Sequence, residues 1–485
     1  MCLADRIHRR VPLSPLLIFL LVLVGEIARA EPSVPWTPTR AARHALELLA
    51  DEGDLALPLT QWPLPSAAVA RALDALPREL PPALDSARAR VAAELRAASG
   101  GELSVAARNR DEVLSGFGDE STPGSWLGAR SGTVASSHVA LQIGAHVDQG
   151  TQPSRPSARV RLDESAAVVE AGGVQLAAWA HRSWWGPGWQ SSLLLGNNSP
   201  PAYGIGLQRT SASPSSSPWL SWMGPWTYEL FVANNDDALG STLVGTRLTM
   251  RPFSLLEIAF TRTAQWGGHG RPQSVQSFAK MLVGLGVNTA NQEGDPANEM
   301  TGFDVRLRCP GHVPCTAYGQ FIGEDATHHV PARFLGLYGL ETWSADGRYR
   351  WFAEFAETLC GAVLEHNTLR ACAYRNHAYP EGYANAGRWI GSAAGADSRL
   401  LTLGWLDAEQ GTALRLHAGR IGARVGVFAP AGDPEHSGPI LGASLRQSWS
   451  WRTATLGLEL DWFSVTAAQR AQDEARVGLT LRVPF

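Results

Sequence analysis

The last nine residues of the chain limit its fold more than any other segment. Apolar side chains occupy every second position, namely Val477, Leu479, Leu481, Val483 and Phe485, and the positions between them are small or polar. In a β-strand these two sets point to opposite faces. A strand with one apolar face that ends on an aromatic residue is typical of the closing strand of an outer-membrane β-barrel, and it also occurs in soluble β-sandwiches.

Alternation with period two recurs throughout the chain beyond Ser104. Such runs cover residues 139–147, 174–178, 226–232, 256–260, 401–405 and 456–462. Turn-rich stretches such as 211–218 and 430–439 separate the runs, which is the pattern of successive antiparallel strands. Allowing about 20 residues for each strand and its turn, this part of the chain accommodates about 16 to 18 strands, the size of a large barrel.

The positions of the tryptophans along the sequence agree with a barrel. Sixteen of the 18 tryptophans lie beyond Ser104, many at the ends of alternating runs. Indole rings prefer the lipid headgroup layer, so this placement is typical of an aromatic girdle. We therefore expect a mainly β fold, in which residues 104–485 form a large antiparallel transmembrane β-barrel of about 18 strands in the cell outer membrane. A soluble multi-sheet protein or a sugar-binding sandwich is the alternative.

Residues 1–30 have the pattern of a secretory signal peptide. Two arginines precede an apolar run at residues 16–24, and a small-x-small motif ends at Ala30. The run is too short to cross a bilayer as a helix, so we expect cleavage after Ala30. Removal of four arginines and two acidic residues changes the net charge from −4 to −6. An acidic exported chain argues against a nucleic-acid partner.

Residues 31–103 have a helical period instead, and they predict a small N-terminal α-helical bundle. Thr37 can cap a first helix that ends before Gly53, and Ser66 can cap a second helix. Apolar residues three or four positions apart predict a third helix over residues 84–95. Three short helices bury little apolar area, so we expect this segment to dock on the barrel.

Four cysteines lie in the exported part of the chain: Cys309, Cys315, Cys360 and Cys372. An even number of cysteines in an oxidising compartment predicts disulfides. Pairing of sequence neighbours, Cys309 with Cys315 and Cys360 with Cys372, is the most economical of the three possible connectivities. A zinc site that includes His312 is the alternative, but the ligand spacing is poor, and we expect no metal site.

The densest aromatic segment lies between residues 179 and 200. Three tryptophans around a Gly-Pro-Gly turn can form a rigid shelf for sugar rings, and neighbouring polar side chains can bind hydroxyl or carboxylate groups. The candidate polysaccharide-binding residues are Arg182, Trp184, Trp185, Trp189, Gln190, Asn197 and Asn198. The alternative is structural: a tight turn whose tryptophans lie in the membrane interface or under the helical segment.

This segment and residues 46–65 resemble the Wzi capsule-assembly family. The features that carry the resemblance are a Trp-Trp-Gly-Pro-Gly-Trp motif followed by an Asn-Asn pair, and the N-terminal stretches Leu-Leu-Ala-Asp-Glu-Gly and Leu-Pro-Leu-Thr-Gln-Trp-Pro-Leu-Pro. The resemblance implies an eighteen-stranded outer-membrane barrel with a periplasmic-side helical bundle. It also implies a lectin that helps to hold capsular polysaccharide at the cell surface. The loops show no such match, so the sugar stays open.

Two other functions are compatible with the sequence. A barrel of this size has a lumen wide enough for water, which allows a porin-like channel for small solutes. His181 and Ser183 share one strand face, as a lipase or esterase would require, but no residue can be assigned to orient the histidine. We expect a non-catalytic protein without a cofactor. Its expected partners are outer-membrane lipid, lipopolysaccharide and a capsular or other surface polysaccharide, and we expect a monomer.

Overall fold

The computed structural model describes residues 31–120, 124–148, 159–282, 297–311, 313–327, 330–361, 369, 372–422, 438–467 and 470–485. The expected signal peptide, residues 1–30, and His312 of the zinc alternative lie outside the described residues. The helices within these ranges are too short or too polar to cross a membrane.

One antiparallel sheet dominates the described chain. It contains 21 hydrogen-bonded segments, of which two pairs are interrupted strands and one, Val134–Ala135, is a two-residue pairing beside a longer strand. Eighteen strands therefore remain in the described ranges. They are β1 (Glu102–Arg108), β2 (Trp126–Arg130), β3 (Val139–Gln142 with Gly144–Asp148), β4 (Arg159–Arg161 with Ser165–Ala171), β5 (Val174–His181), β6 (Ala202–Arg209), β7 (Trp226–Asn234), β8 (Thr242–Phe253), β9 (Leu256–Trp266), β10 (Ala297–Arg308), β11 (Cys315–Thr327), β12 (Val330–Trp343), β13 (Tyr349–Glu357), β14 (Arg399–Asp407), β15 (Thr412–Ile421), β16 (Gly438–Trp451), β17 (Ala454–Ala467) and β18 (Arg470–Pro484).

The sheet closes on itself. The C-terminal strand β18 pairs with the first strand β1, with Arg482 opposite Ser104. One half of β3 pairs with β2 and its other half pairs with β4, where Val168 lies opposite Ala140. Each described strand thus has a partner on both sides, which leaves no free edge. The prediction of a large antiparallel barrel of about 18 strands is confirmed.

The barrel is apolar outside and charged inside. Leu176, Leu340 and Leu479 are about half exposed on its outer face, at 50%, 53% and 48%. Inward-facing Arg247 and Arg350 are completely buried instead. A soluble protein has the opposite arrangement, whereas a wall that contacts lipid requires this one, so the barrel is a transmembrane one.

The two ends of the barrel differ in their connections. At one end most turns are short, such as residues 172–173, 254–255 and 452–453, and at the other end long connections such as 182–201 and 358–398 join the strands. Outer-membrane barrels place short turns on the periplasmic side. The N-terminal helices lie at the short-turn end. This position follows from the contact between His44 and the carbonyl oxygen of Gly347, which lies in the short turn at residues 344–348. The long-connection end is called the mouth below.

The N-terminal segment forms α1 (Arg40–Glu52), α2 (Ser66–Asp74) and α3 (Pro82–Ala98). The predicted cap Thr37 was wrong: Thr39 caps α1 and its hydroxyl accepts a hydrogen bond from the Ala42 N–H at 3.2 Å. Gly53 follows the last helical residue as expected. Ser66 is the first residue of α2 rather than its cap. A fourth helix, α4 (Val275–Leu282), lies in a connection at the mouth.

The four cysteines form disulfides between sequence neighbours. Cys309–Cys315 closes the short turn between β10 and β11, with Cα atoms 5.3 Å apart. Cys360–Cys372 closes part of the long connection between β13 and β14, with Cα atoms 5.9 Å apart. Among the described residues no group of side chains could hold a metal ion.

A charge on the outer wall tests the membrane position. Leu403 lies in the middle of β14 and is 49% exposed. We expect L403R to lower the free energy of unfolding in phospholipid vesicles by about 2–4 kcal/mol, the cost of an arginine near the bilayer midplane. L403A shortens the side chain without adding a charge and serves as the control. Equal stability of both variants during urea unfolding would contradict a lipid-facing position.

Candidate functional site

The connection from β5 to β6, residues 182–201, folds into the lumen and is called the inward loop here. It contains all seven candidate polysaccharide-binding residues. Glu354 on the inner wall accepts hydrogen bonds from the backbone N–H groups of Trp189 and Ser191 at 2.7 and 2.6 Å. Gln320 accepts from the Leu193 N–H and donates to the Trp185 carbonyl oxygen, both at 2.7 Å. The wall therefore orients the loop backbone across the lumen.

The inward loop meets the N-terminal plug, residues 31–100, inside the barrel. Trp184 and Trp185 form an antiparallel pair with Trp62 and Gln61. Arg43 of α1 donates to the carbonyl oxygens of Pro187 and Gly188 at 2.6 and 2.8 Å. Two segments that enter from opposite ends of the barrel are thus joined by backbone hydrogen bonds.

The three tryptophans of the motif are buried at this junction. Trp184, Trp185 and Trp189 are 2%, 0% and 4% exposed. Trp189 lies between the guanidinium of Arg43, 4.1 Å from its ring, and the ring of Phe352, stacked at 5.9 Å. No ring of the three presents a shelf at the surface of the described chain, and their contacts are those of a structural core. This packing is the structural alternative that the sequence allowed.

The polar residues of the motif also make contacts within the protein. Asn197 donates to the Gly116 carbonyl oxygen at 3.3 Å, and Asn198 donates to that of Trp389 at 2.9 Å. Gln190 accepts a hydrogen bond from Arg415 at 2.9 Å. These bonds tie the inward loop to other connections at the mouth and to the wall. A direct sugar contact of these residues stays a prediction.

Ion pairs fasten α1 to the inner wall. Glu47 lies 2.8 Å from both Arg43 and Arg350, and Arg350 lies 2.6 Å from Glu341. All four side chains are at most 1% exposed. Asp51 continues the network, because it accepts two hydrogen bonds from Arg306 at 2.7 and 2.6 Å. Buried charges are tolerated only when paired, so the charges of α1 and those of the wall require each other.

His44 joins the same network in its neutral form. Its Nδ1 accepts a hydrogen bond from Arg350 at 2.8 Å, so its Nε2 donates to the Gly347 carbonyl oxygen at 2.7 Å. Burial and the adjacent Arg350 cation lower the pKa of His44 to about 3. Protonation would place a second cation beside Arg350 and is therefore unfavourable.

A second buried charge cluster holds the connection 109–120 in the lumen. Asp119 lies 2.7 Å from Arg415 and 3.0 Å from Arg446, and it also contacts Arg40 of α1. Burial opposes ionisation of Asp119, but the three arginines outweigh it and hold the pKa of this carboxyl well below its usual range. The plug is therefore linked to both β15 and β16 as well.

A small cleft opens at the mouth beside the inward loop. Its lining includes Trp179, His181, Arg182, Ser183, Leu195, Ser199, Pro200, Phe231, Leu243, Asn385 and Ile390. Of the seven candidate residues, Arg182 is the one that lines it. Asn385 lies about two hundred residues away in sequence, and no local motif marks it. Sequence reasoning missed Asn385 because only the closed barrel brings it beside Arg182, whereas Trp179 lies three residues before Arg182 in the aromatic segment.

The His181–Ser183 pair of the esterase hypothesis also lines this cleft. His181 Nδ1 lies 3.2 Å from the Arg182 carbonyl oxygen, and its ring stacks on Trp179 with centroids 4.2 Å apart. Among the described residues no hydrogen bond joins His181 to Ser183. A nucleophile needs a base within hydrogen-bond reach.

A closed barrel with an apolar outer wall, whose lumen holds its own N-terminal segment and an inward loop, belongs to the class of plugged outer-membrane β-barrels. Residues 98–474 match the family model of the capsule assembly protein Wzi. Since this match covers most of the chain, the protein belongs to the Wzi family, as its motifs suggested.

Two relatives can be compared directly. A 55.8 kDa protein in the cps region of Klebsiella pneumoniae is 29% identical over 335 residues, which are 65% of this chain and 64% of that protein. The chain thus matches less than two thirds of that relative. The structure of Wzi from Escherichia coli, described as an outer-membrane protein involved in group 1 capsule assembly and a carbohydrate-binding β-barrel, matches with a TM-score of 0.80 at 23% identity. The match covers 94% of this chain and 100% of that chain, and it supports the fold.

Substitution of Trp189 tests whether the motif is structural. W189A removes the ring between Arg43 and Phe352, and we expect a loss of about 3–5 kcal/mol in the free energy of unfolding. W189F keeps the packing but loses the indole hydrogen bond to Glu341, 2.8 Å long, so we expect a smaller loss of about 1–3 kcal/mol. Urea unfolding in detergent micelles measures both. Unchanged stability of W189A would show that the ring has no role in the core.

The neutral state of His44 predicts a pH dependence. In the unfolded chain this histidine gains a proton below its ordinary pKa of 6.5, whereas in the folded protein it stays neutral down to about pH 3. The contribution of His44 to the free energy of unfolding is thus fully present above pH 6.5, and it is lost as the pH falls towards 3. Between pH 6.5 and 4 the loss is about 3 kcal/mol, at about 1.4 kcal/mol per unit.

The variant H44N provides the comparison for this pH dependence. Its amide oxygen can accept the Arg350 hydrogen bond, and it does not titrate. We expect the unfolding free energy of H44N to depend less on pH than that of the parent protein between pH 7 and 4. Parallel pH profiles would mean that His44 is not the responsible group.

Proposed function

We propose that this protein binds a surface polysaccharide at its mouth, without catalysing a reaction on it. The observation that carries the proposal is the occupied lumen, which holds the N-terminal plug and the inward loop, joined through Trp184–Trp185 and Gln61–Trp62. A polymer outside the cell then meets only the long connections at the mouth. Among these connections the inward loop is held in place by Asn197 and Asn198, which favours binding with little conformational cost.

The family supports this proposal. The Escherichia coli relative is described as a carbohydrate-binding barrel involved in capsule assembly, and the Klebsiella relative belongs to a cps region. The capsular polysaccharide of the producing cell is therefore the first ligand to test. We further propose that the outer wall contacts outer-membrane lipid and lipopolysaccharide, and that the closed barrel acts as a monomer because it has no free strand edge.

The candidate residues have different roles in the proposed site. Arg182 lines the cleft at the mouth and contacts the ligand. The buried Trp184, Trp185, Trp189 and Gln190 hold the inward loop in place, so they act through positioning. This division accounts for a motif rich in tryptophan whose rings are inaccessible.

The channel and the esterase are the rival functions. A lumen that contains ion-paired helix α1, with Glu47 at 2.8 Å from Arg350, favours a closed barrel over a pore. The stacking of His181 on Trp179 favours a structural role over that of a general base. Neither arrangement is what a porin or a hydrolase requires.

Binding and conductance measurements on the same refolded protein separate these functions. We expect the detergent-solubilised protein to bind the purified surface polysaccharide of its own cell, and to give no steady current in planar bilayers. An open porin of known conductance, inserted into the same bilayers, serves as the positive control for the current. Steady large currents from the parent protein, without polysaccharide binding, would favour the pore, and ester hydrolysis that is lost in S183A would favour the esterase.

A further inference from the structure

Two arginines lie side by side on the outer wall at the mouth. Arg399 is the first residue of β14 and Arg420 is the second-to-last residue of β15, so both lie at the mouth end of their strands. They are directly opposite each other in the antiparallel ladder, and opposite residues share one face of a sheet, with Cβ atoms about 5 Å apart. That face is the outer one, because Arg399 alternates with the exposed Leu401 and Leu403.

The charge of this arginine pair, Arg399 and Arg420, is only partly balanced by the protein. Arg399 donates a hydrogen bond through its Nε to Glu357 of β13 at 2.5 Å. Among the residues that the structure describes, the terminal nitrogens of Arg399 form no hydrogen bond, and the side chain of Arg420 has neither a hydrogen bond nor an ion pair. One carboxylate therefore accompanies two guanidinium groups. Like charges directly opposite each other destabilise a sheet, and an anion bound to both would remove this cost.

The wall below the arginine pair is apolar. On the same face Leu401 is 42% exposed, and Leu403 and Leu416, which lie opposite each other further from the mouth, are each 49% exposed. A ligand that contacts both the arginines and these leucines needs an anionic group next to hydrocarbon chains. A lipid has this arrangement, whereas a polysaccharide has no hydrocarbon chain to cover the leucines. Because the mouth faces the outside of the cell, such a lipid belongs to the outer leaflet of the membrane.

We propose that Arg399 and Arg420 together bind a phosphate group of lipopolysaccharide in the outer leaflet. A phosphate monoester carries a charge of about −1.5 to −2 at pH 7, so it can pair with two guanidinium groups at once. The fork of a guanidinium also matches two oxygens of a phosphate. The acyl chains of the same molecule contact the leucines below. This inference rests on the proposed contact with lipopolysaccharide and gives it a site, and it does not depend on polysaccharide binding at the mouth.

The test compares two forms of one lipid. The probes are diphosphorylated lipid A and the same lipid A after removal of its phosphates. The refolded full-length parent protein in detergent micelles is titrated with each probe, and native mass spectrometry measures the bound fraction. We expect the parent to bind the phosphorylated form about 10 to 100 times more tightly, the range for one charged hydrogen-bonded contact. The double variant R399Q/R420Q should lose this preference because it lacks both cations.

Two further variants provide matched comparisons. E357Q removes the carboxylate that competes for Arg399, so it should bind phosphorylated lipid A more tightly than the parent does. R96Q/R452Q removes two exposed positive charges at the short-turn end of the barrel, and its binding should equal that of the parent. Folding of each variant is checked by heat modifiability in gel electrophoresis. If R399Q/R420Q does not fold, the preference of the parent between the two lipids and the opposite effect of E357Q decide the question.

The possible results separate this site from other ligands and from the proposed function. Equal affinity of the parent for both lipids, or an unchanged preference in R399Q/R420Q, would overturn the phosphate site. Inorganic phosphate at the same concentration should not displace the lipid, because it has no acyl chains; displacement would mean that the arginine pair binds a free anion instead. Loss of polysaccharide binding in R399Q/R420Q, with lipid A binding unchanged, would assign the pair to the polysaccharide. Polysaccharide binding by the parent is measured separately, so either proposal can fail alone.

Discussion

The ion pairs between helix α1 and the barrel wall are the interaction on which the rest of the structure depends. A barrel with an apolar outer wall must place its polar side chains inside, and in a water-filled pore these side chains would form hydrogen bonds with the solvent. Here Arg350, Arg306 and Glu341 are buried, so protein groups must satisfy them. Glu47 and Asp51 of α1 supply the opposite charges. Removal of one member would leave an uncompensated buried charge, so wall and plug are required together.

The same requirement explains the position of the aromatic motif. The inward loop lies where the plug ends, and its backbone N–H groups bind Glu354 while Arg43 binds its carbonyl oxygens. Trp189 fills the space between the Arg43 cation and Phe352. A motif at such a junction is constrained by packing and charge at once. Its recognisable sequence therefore reports how the lumen is filled.

The position of Arg182 connects the scaffold to the proposed function. It follows directly after β5, whose end at His181 is set by the barrel, and it precedes the buried pair Trp184–Trp185. One side chain at this boundary can reach the mouth while its backbone is held by neighbours on both sides. In the proposed function, a ligand at Arg182 therefore meets a backbone that the barrel already holds in place.

The sequence by itself determined the class of fold. Alternation such as that from Val477 to Phe485 depends only on the period of a strand, so strands, their approximate number and the apolar outer face could be predicted. Helix α1 was also predictable, but Thr37 and Thr39 are both plausible caps, and only the folded chain selects Thr39. Helix boundaries are weakly encoded, because neighbouring caps differ little in free energy.

Only the tertiary structure decided which face of the motif is accessible. An alternating strand or a tryptophan-rich turn has the same local pattern whether it faces lipid, a lumen or solvent, and exposure of Trp185 depends on Gln61 and Phe231, far away in sequence. The cleft likewise needs Arg182 and Asn385 from two distant connections. Burial and charge pairing are properties of long-range contacts, and barrel closure is the step that creates those contacts.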